Sequence, residues 1–343
     1  MRYLAAVCGI VLGSTATLAC RPAAPAPPPS PNTALASAQA PARLTVSYSA
    51  VTADQMVLWV AHEAGSFTKH DIEADLRLVD STAGVASLLA GETDLAVIGG
   101  LQVASAVAGG ADLVVLATLT PVYSFKFLVP NSVREKSDLI GGRVGISRLG
   151  SSTDAAARVG LRHLGIDPER DVSLVQIGNF SALETALING AVQGAPLQPP
   201  VTVKLEKAGF YPLFDLAALK LPAAVAVVAG RRSWVAEQRE VVQRFVDSLV
   251  EATLRERADR ELAEAVMRRY LRMEDLEALD ATYEYFVKTV HPPAPYARPE
   301  QFVDMIEQAS AQSPQLRHLD IDRLIDASFV RSAEQRLLAE RAR

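Results

Sequence analysis

The chain has 343 residues, of which 49% are hydrophobic and 21% charged, as is ordinary for a globular protein of one or two domains. Its net charge of −5 does not favour binding to nucleic acid, so we expect no nucleic-acid partner. The only cysteines are Cys8 and Cys20, which excludes a disulfide framework, a cysteine-ligated metal and a thiol nucleophile from the rest of the chain.

The N-terminal residues have the pattern of an export signal. Arg2 precedes an apolar run from Leu4 to Leu18, which is short for a membrane-spanning helix and typical of a secretory signal peptide. Small residues then precede Cys20, as in the bacterial lipobox, where the cysteine is acylated. We predict a signal peptide over residues 1–19 and a lipid anchor on Cys20 that holds the protein in the periplasm or at the cell surface. Ordinary signal cleavage nearby is the alternative.

The segment 20–42 is rich in proline and alanine and lacks any hydrophobic periodicity. Such a composition does not build a core and favours an extended, semi-rigid linker. We predict that it lifts a folded domain away from the membrane.

From residue 43 onward, short apolar strands alternate with helices, which is typical of crossover units and a largely parallel sheet. A first series of predicted strands runs over 44–49, 72–79, 95–98 and 113–119. After an extended run over 125–129, a second series of strands covers 143–147, 172–177 and 192–197, and a long apolar strand follows over 222–229. Helices are predicted between strands, and further helices at 235–256, 261–272, 274–289, 299–308 and 332–341.

Two such series predict an α/β protein of two lobes, each a mostly parallel sheet flanked by helices. Two crossover segments, near 121–130 and 221–230, are predicted to form a hinge. We assign 43–122 and 231–343 to lobe 1, and 123–230 to lobe 2. The C-terminal helices are expected to pack back on lobe 1, and the protein is expected to be a monomer.

Hydrogen-bond donors recur where predicted strands end and helices begin. In open α/β sheets, ligands bind beyond the carboxyl ends of the strands, where helix N-termini present free N–H groups. The densest such segment is 150–153, with Arg148 two residues before it. We predict a cleft for a small polar or anionic molecule, although ordinary helix capping explains each such turn taken singly. The predicted ligand-binding residues are Ser49, Gln55, Gly99, Gly100, Gln102, Ser124, Ser151, Ser152, Thr153, Asn179 and Gln198.

The segments 142–154 (GRVGISRLGSSTD) and 190–200 (GAVQGAPLQPP), with 91–96 (GETDLA) and 326–330 (DASFV), carry a family resemblance. In their order and spacing the chain resembles the nitrate/sulfonate/taurine-type substrate-binding proteins of ABC transporters, which include binders of pyrimidine precursors. The resemblance covers about residues 43–330. It implies the type II periplasmic-binding-protein fold and closure of two lobes by hinge motion. It also implies delivery of ligand to a membrane permease driven by a cytoplasmic ATPase.

Other function classes receive less support from the sequence. None of the five histidines has metal-site spacing, no phosphate-binding loop follows a strand, and no nucleophile elbow surrounds a serine. We therefore expect a binding protein without a cofactor, a metal or a catalytic residue. A ligand-sensing lipoprotein that signals to a membrane partner remains an alternative, and an enzyme on the same scaffold a less favoured one.

Overall fold

The structure is a computed structural model that describes residues 40–341. In it, strands and helices alternate as the sequence predicts. The predicted signal peptide, Cys20 and the linker as far as residue 39 lie outside the described residues. The strands are β1 (Ala42–Tyr48), β2 (Ile72–Leu78), β3 (Leu95–Ile98), β4 (Leu113–Val122), β5 (Lys126–Pro130), β6 (Arg143–Ile146), β7 (Ser173–Gln176), β8 (Ala195–Leu197), β9 (Phe210–Asp215) and β10 (Pro222–Arg231).

The helices lie between the strands and form the C-terminal part of the described chain. They are α1 (Met56–Glu63), α2 (Ser66–Lys69), α3 (Ser81–Ala90), α4 (Gly100–Ala108), α5 (Ser152–His163), α6 (Phe180–Ile188), α7 (Val201–Lys207), α8 (Arg232–Glu237), α9 (Arg239–Ala258), α10 (Arg260–Leu271), α11 (Leu276–Tyr283), α12 (Glu300–Ala309), α13 (Ile321–Leu324) and α14 (Ser328–Arg341). Short 3-10 turns occupy Ala53–Gln55, Lys136–Leu139 and Pro314–His318, and a π-helical segment occupies Glu284–Val290.

The first lobe contains a five-stranded sheet in the order β2-β1-β3-β10-β4. Strand β1 pairs in parallel with both β2 and β3, whereas β10 pairs antiparallel with β3 and β4. Strands β3 and β10 are apolar along almost their whole length and are buried, because helices cover both faces of the sheet.

The second lobe repeats this arrangement. Strand β6 pairs in parallel with β7, while β5 pairs antiparallel with β8 and β9. A parallel bridge between Val144 and Gly194 joins the two groups, which gives the order β7-β6-β8-β5-β9. In each lobe one strand runs against the others, and it is the strand whose chain has just crossed from the other lobe. The predicted two-lobed α/β fold with mostly parallel sheets is confirmed.

Strand β10 differs from its predicted place. The sequence assigns its residues to the end of lobe 2, but β10 lies between β3 and β4 in the first sheet. Its run of small apolar side chains suits this central position, where both faces are buried. We propose 123–221 as the extent of lobe 2 and 222–341, with 40–122, as that of lobe 1 within the described residues.

Strand β9 is missing from the sequence prediction. It contains Pro212, which lacks an N–H donor and argues against a strand in the middle of a sheet. The structure places β9 at the edge of its sheet, where it pairs with β5 alone and the ladder has an irregularity. Proline is tolerated at such an edge, so the strand forms despite the signal against it.

The C-terminal helices complete the core of the first lobe. Helix α9 packs against α1 and α2, and its Phe245 stacks on Phe67 with ring centroids 5.3 Å apart. Both rings belong to a buried cluster that includes Trp59 of α1. This packing lies behind the sheet and leaves the strand ends that face the second lobe free. In residues 40–341, no helix has the length and apolar character needed to cross a membrane.

Gly100, the first residue of α4, gives a test of how closely this helix packs on β10. A Cβ at Gly100 would be 2.5 Å from the Cβ of Ala224 and 2.7 Å from its backbone oxygen. We expect Gly100→Ala to lower the free energy of unfolding by about 1–3 kcal/mol, because the strand backbone has no room to move. Urea unfolding measures this change.

Gly84→Ala in α3 is the matched control. The nearest atom to a Cβ at Gly84 is a side-chain methyl of Ile98 at 3.2 Å, which has more freedom to shift. We expect this variant to stay within about 1 kcal/mol of the wild type. Equal stability of the two variants would contradict the proposed close packing.

A candidate ligand-binding cleft between the lobes

A cavity of about 320 Å³ lies where the carboxyl ends of the strands of the two lobes face each other. Its walls are the turns after β1, β2 and β3 on one side and after β6, β7 and β8 on the other. The sheet geometry explains this placement, because parallel strands end at the same edge and their helices begin there. The lining residues are Ser49, Ala50, Thr52, Asp54, Gln55, Asp80, Gly99, Gln102, Phe125, Ser147, Arg148, Ser151, Ser152, Thr153, Gly178, Asn179, Phe180, Gln198 and Val225.

Most of the residues predicted from strand ends meet in this cavity. They are Ser49, Gln55, Gly99, Gln102, Ser151, Ser152, Thr153, Asn179 and Gln198. Segments 52–55 and 151–154, which are distant in sequence, thus line the same space. Their contact with a ligand remains a prediction.

Gly100 and Ser124 do not line the cavity. Gly100 lies against Ala224 of β10, so its lack of a side chain serves helix-to-strand packing. Ser124 is fully buried, and its Oγ accepts a hydrogen bond of 2.7 Å from Gln198 Nε2. Ser124 therefore orients a lining side chain from behind the wall.

Sequence reasoning missed several lining residues, of which Asp80 and Asp54 matter most. Asp80 follows β2, so the rule applied to the other strand ends finds it as well. Asp54 stands in the first turn of a helical segment, where an acidic residue is ordinary without any ligand. Phe125 and Val225 lie in or beside the crossover strands, and no local pattern marks them.

The hydroxyl-rich segment after β6 is bonded largely to itself. Thr153 Oγ1 accepts from the backbone N–H of Ser147 at 2.8 Å, and the Oγ atoms of Ser147 and Ser151 lie 2.7 and 2.8 Å from it. Ser151 Oγ also donates to the backbone oxygen of Arg148 at 2.6 Å. These hydroxyls shape the turn, and few of their donors remain for the polar or anionic molecule that the sequence predicts.

Helix N-termini contribute the remaining donors on this side. Asn179 caps α6, where its Oδ1 accepts from the backbone N–H of Ala182 at 2.9 Å, and Ser151 caps α5. The other N–H groups in the first turn of each helix point outward along the helix axis, with the positive end of the dipole. Acceptor atoms of a ligand are favoured at these two ends.

An ion pair links the lobes at the rim of the cavity. Arg148, after β6, donates two hydrogen bonds to Asp80, after β2: Nη1 to Oδ1 at 2.8 Å and Nη2 to Oδ2 at 2.6 Å. A second link joins Gln102 Nε2 to the backbone oxygen of Gly150 at 3.2 Å. Both links pair a lobe 1 side chain with the same turn of lobe 2, so they hold the cleft in a closed form.

Asp54 forms part of the cavity wall on the lobe 1 side. Its side chain is buried, with 7% of the residue exposed, and accepts a hydrogen bond from Thr52 Oγ1. Burial raises the pKa of Asp54 above its ordinary value of 3.8, although the hydrogen bond from Thr52 and the charge of a protonated His291 oppose this shift.

Three glutamine side chains place acceptor oxygens at the wall. The Oε1 atoms of Gln55, Gln102 and Gln198 are buried and lack a hydrogen-bond partner among the described residues. Buried polar atoms in native proteins are nearly always hydrogen-bonded, so these oxygens mark positions that a ligand or water satisfies. Within residues 40–341, no three His, Asp or Glu side chains are grouped as metal ligands.

The ion pair between Arg148 and Asp80 is expected to affect the balance between the closed and open forms of the cleft. We expect Arg148→Ala to shift the ligand-free protein toward the open form and to increase its radius of gyration in small-angle X-ray scattering. The pair is about half exposed. We therefore expect its loss to change the free-energy difference between the closed and open forms by about 1 kcal/mol, which is roughly fivefold in their ratio. Arg77→Ala removes an exposed pair within β2 and is expected to leave the radius unchanged.

Because of the same ion pair, we expect closure of the cleft to depend on pH. The hydrogen bonds from Arg148 hold the pKa of Asp80 below its ordinary value of 3.8. A carboxylate with a depressed pKa stabilises the closed form fully above 3.8 and loses this effect as the pH falls through the lowered pKa. We expect the wild type to open only in that acid range, with circular dichroism to exclude unfolding. Opening between pH 5 and pH 7 would contradict this role of the pair.

Solved structures with the same fold include binding proteins. The ligand-binding component of an ABC-type import system from Staphylococcus aureus, with zinc bound, has a TM-score of 0.71 at 14% identity, covering 85% of this chain and 99% of that one. The periplasmic aliphatic sulphonate binding protein SsuA from Escherichia coli has a TM-score of 0.64 at 19% identity, covering 83% of this chain and 89% of that one.

An enzyme shares the fold as well. The desulfurization enzyme DSZB has a TM-score of 0.62 at 16% identity, covering 86% of this chain and 99% of that one. Such low identities establish the fold alone. A search of curated proteins finds no match to the sequence.

Sequence comparison with protein families gives a match over most of the chain. The matched family is the NMT1-like family, and the match covers residues 37–270. This range includes every residue that lines the cavity. The chain belongs to the NMT1-like family.

Proposed function

We propose that the protein is the extracytoplasmic solute-binding component of an ABC importer, which captures one small polar molecule between its two lobes. The observation that carries this proposal is the cavity itself, which lies between the strand ends of both lobes and is closed by contacts from one lobe to the other. Ligand contacts with both walls favour closure, which is how a two-lobed binding protein couples binding to a change of shape.

The proposed partners are a membrane permease and a cytoplasmic ATPase. The Staphylococcus aureus and Escherichia coli proteins of this fold are described as import and periplasmic binding components, which supports the assignment. We propose that the protein acts as a monomer that presents its closed form to the permease. The fold also occurs in a desulfurization enzyme, so the proposal of binding without turnover requires its own test.

Native mass spectrometry of the gently purified protein tests the function. We expect one copurifying small molecule per chain, recovered with unchanged mass after incubation. Returned to the stripped protein, it is expected to raise the melting temperature, because a ligand at about 100 times its Kd adds about 2.7 kcal/mol of stability.

Two outcomes would contradict this proposal. Conversion of the recovered molecule to a product would place the protein among the enzymes of this fold. The absence of both a copurifying molecule and any stabilisation by sulfonates, nitrate, carboxylates and pyrimidines would contradict a solute-binding role.

We also propose that the protein is exported and lipid-anchored through Cys20. The support is the apolar run of residues 4–18 followed by small residues and a cysteine. We expect Cys20→Ala to move the protein from the membrane fraction to the soluble fraction, because the acyl chains supply the membrane affinity.

Cys8→Ala is the matched control for the lipid anchor, since it removes the other cysteine from within the apolar run. We expect this variant to remain in the membrane fraction, as judged by fractionation and immunoblotting. Membrane retention of Cys20→Ala would disprove the anchor.

A further inference from the structure

Asp54 is a buried carboxylate that has no cationic partner within residues 40–341. It is 7% exposed, lines the cavity and is bonded through its side chain to the neutral hydroxyl of Thr52. None of the ion pairs formed within residues 40–341 includes it. Buried charges in proteins are normally paired, because an isolated one loses its hydration without compensation. When it is ionised, Asp54 therefore places a negative charge at the wall that no cation of the described chain pairs with.

The other charged groups of the cavity are already matched to each other. Arg148 is the one cation among the lining residues in the described chain, and both of its terminal nitrogens bond to Asp80. The three charges that face the cavity, Asp54, Asp80 and Arg148, thus leave a net charge of about −1 when the carboxylates are ionised.

His291, whose charge acts on Asp54, is also engaged elsewhere. Its Nδ1 lies 3.0 Å from Oε1 of Glu256, and both side chains are completely buried. The ring of His291 is therefore paired with Glu256. The nearby histidine does not supply the counter-charge that Asp54 lacks.

Neutral groups elsewhere in the cavity wall also favour a ligand group that donates hydrogen bonds. The orientation of the Gln102 amide is fixed, because its Nε2 donates to the Gly150 carbonyl oxygen, so its Oε1 remains an unpartnered acceptor. The hydroxyls of Ser147, Ser151 and Thr153 bond to one another. Unpartnered acceptors in a buried site are satisfied by N–H or O–H groups.

Two aromatic rings line the same cavity. Phe125 is almost fully buried beside the first crossover, and Phe180 begins α6 of lobe 2. The negative face of an aromatic ring attracts a cation within about 6 Å of its centroid. Aromatic rings together with an unpaired carboxylate are suited to an organic cation more than to a free anion.

We propose that the ligand of this cleft carries a protonated amino or amidino group that forms an ion pair with Asp54. This proposal rests on the proposed solute-binding function and narrows its ligand class. The rest of the ligand faces the N-termini of α5 and α6, where acceptor atoms are favoured. The cleft thus differs from the simple anion site that the strand-end hydroxyls suggest.

Four probes of one shape test the ligand class: benzylammonium, benzamide, benzoate and benzenesulfonate. Isothermal titration calorimetry at neutral pH compares their Kd values with the wild-type protein. We expect benzylammonium to bind most tightly. Tighter binding of benzoate or benzenesulfonate, or no binding of benzylammonium, would overturn the proposal. Either result would leave the solute-binding function intact, because native mass spectrometry of the copurified molecule tests that function separately.

Asp54→Asn tests the residue, because asparagine keeps the shape and removes the charge. We expect it to weaken benzylammonium binding by about 30-fold or more, as for the loss of one partner of a buried charge pair. Binding of benzamide is expected to change little. Asp75→Asn changes the net charge equally on an exposed strand residue outside the cavity and is expected to leave all four Kd values unchanged.

Equal loss of benzylammonium and benzamide binding in Asp54→Asn would overturn the ion pair, since it would indicate a damaged wall. If circular dichroism shows that Asp54→Asn is unfolded, the ligand class can still be tested with the wild-type protein. The order of the four probes with the wild type decides the ligand class without any substitution.

Discussion

The cavity depends on two strands that run against their neighbours, β5 and β10. Each arrives from the opposite lobe and enters the middle of a sheet whose other strands are mostly parallel. Because the chain crosses near the strand ends, the carboxyl edges of both sheets face each other across a short hinge. Every lining turn and every helix N-terminus in the wall follows from this arrangement. The C-terminal helices stabilise it from behind, where α9 packs on α1 and α2.

The contacts that join the lobes and the proposed recognition of a cation involve different groups that line the cavity. Arg148 and Asp80 form a half-exposed pair at the rim, which contributes modestly and holds the two lobes together. Asp54 lies deeper, where burial makes an unpaired charge costly. A cationic ligand would relieve that cost only when the cleft is closed around it. Binding energy and closure would then be coupled, as the proposed delivery of solute to a permease requires.

The rule that ligands bind beyond the carboxyl ends of strands identified most of the residues that line the cavity. The same rule also accounts for the residues that were assigned to the cavity but lie outside it. It correctly brought Ser49 and Gln55 together with Ser151 and Asn179, because parallel strands end at one edge. It included Gly100 wrongly, since chain proximity to Gly99 does not tell which way a helix residue faces. The hydroxyls of the 150–153 segment suggested an anion, yet in the structure most of them bond within the turn. Hydrogen bonds between side chains depend on distances that spacing in sequence does not determine.

The sequence by itself determined the α/β class, the two series of strands and the turns at which a site forms. These features follow from local apolar periodicity and capping residues, which act over a few neighbouring residues. Only the tertiary structure decided that β10 belongs to the first sheet, that β9 forms an edge despite Pro212, and that Arg148 is matched by Asp80. It also left Asp54 buried at the wall without an ion-pair partner in the described part of the chain. Charge balance in a buried site is a property of all the groups around it, and these come from distant parts of the chain.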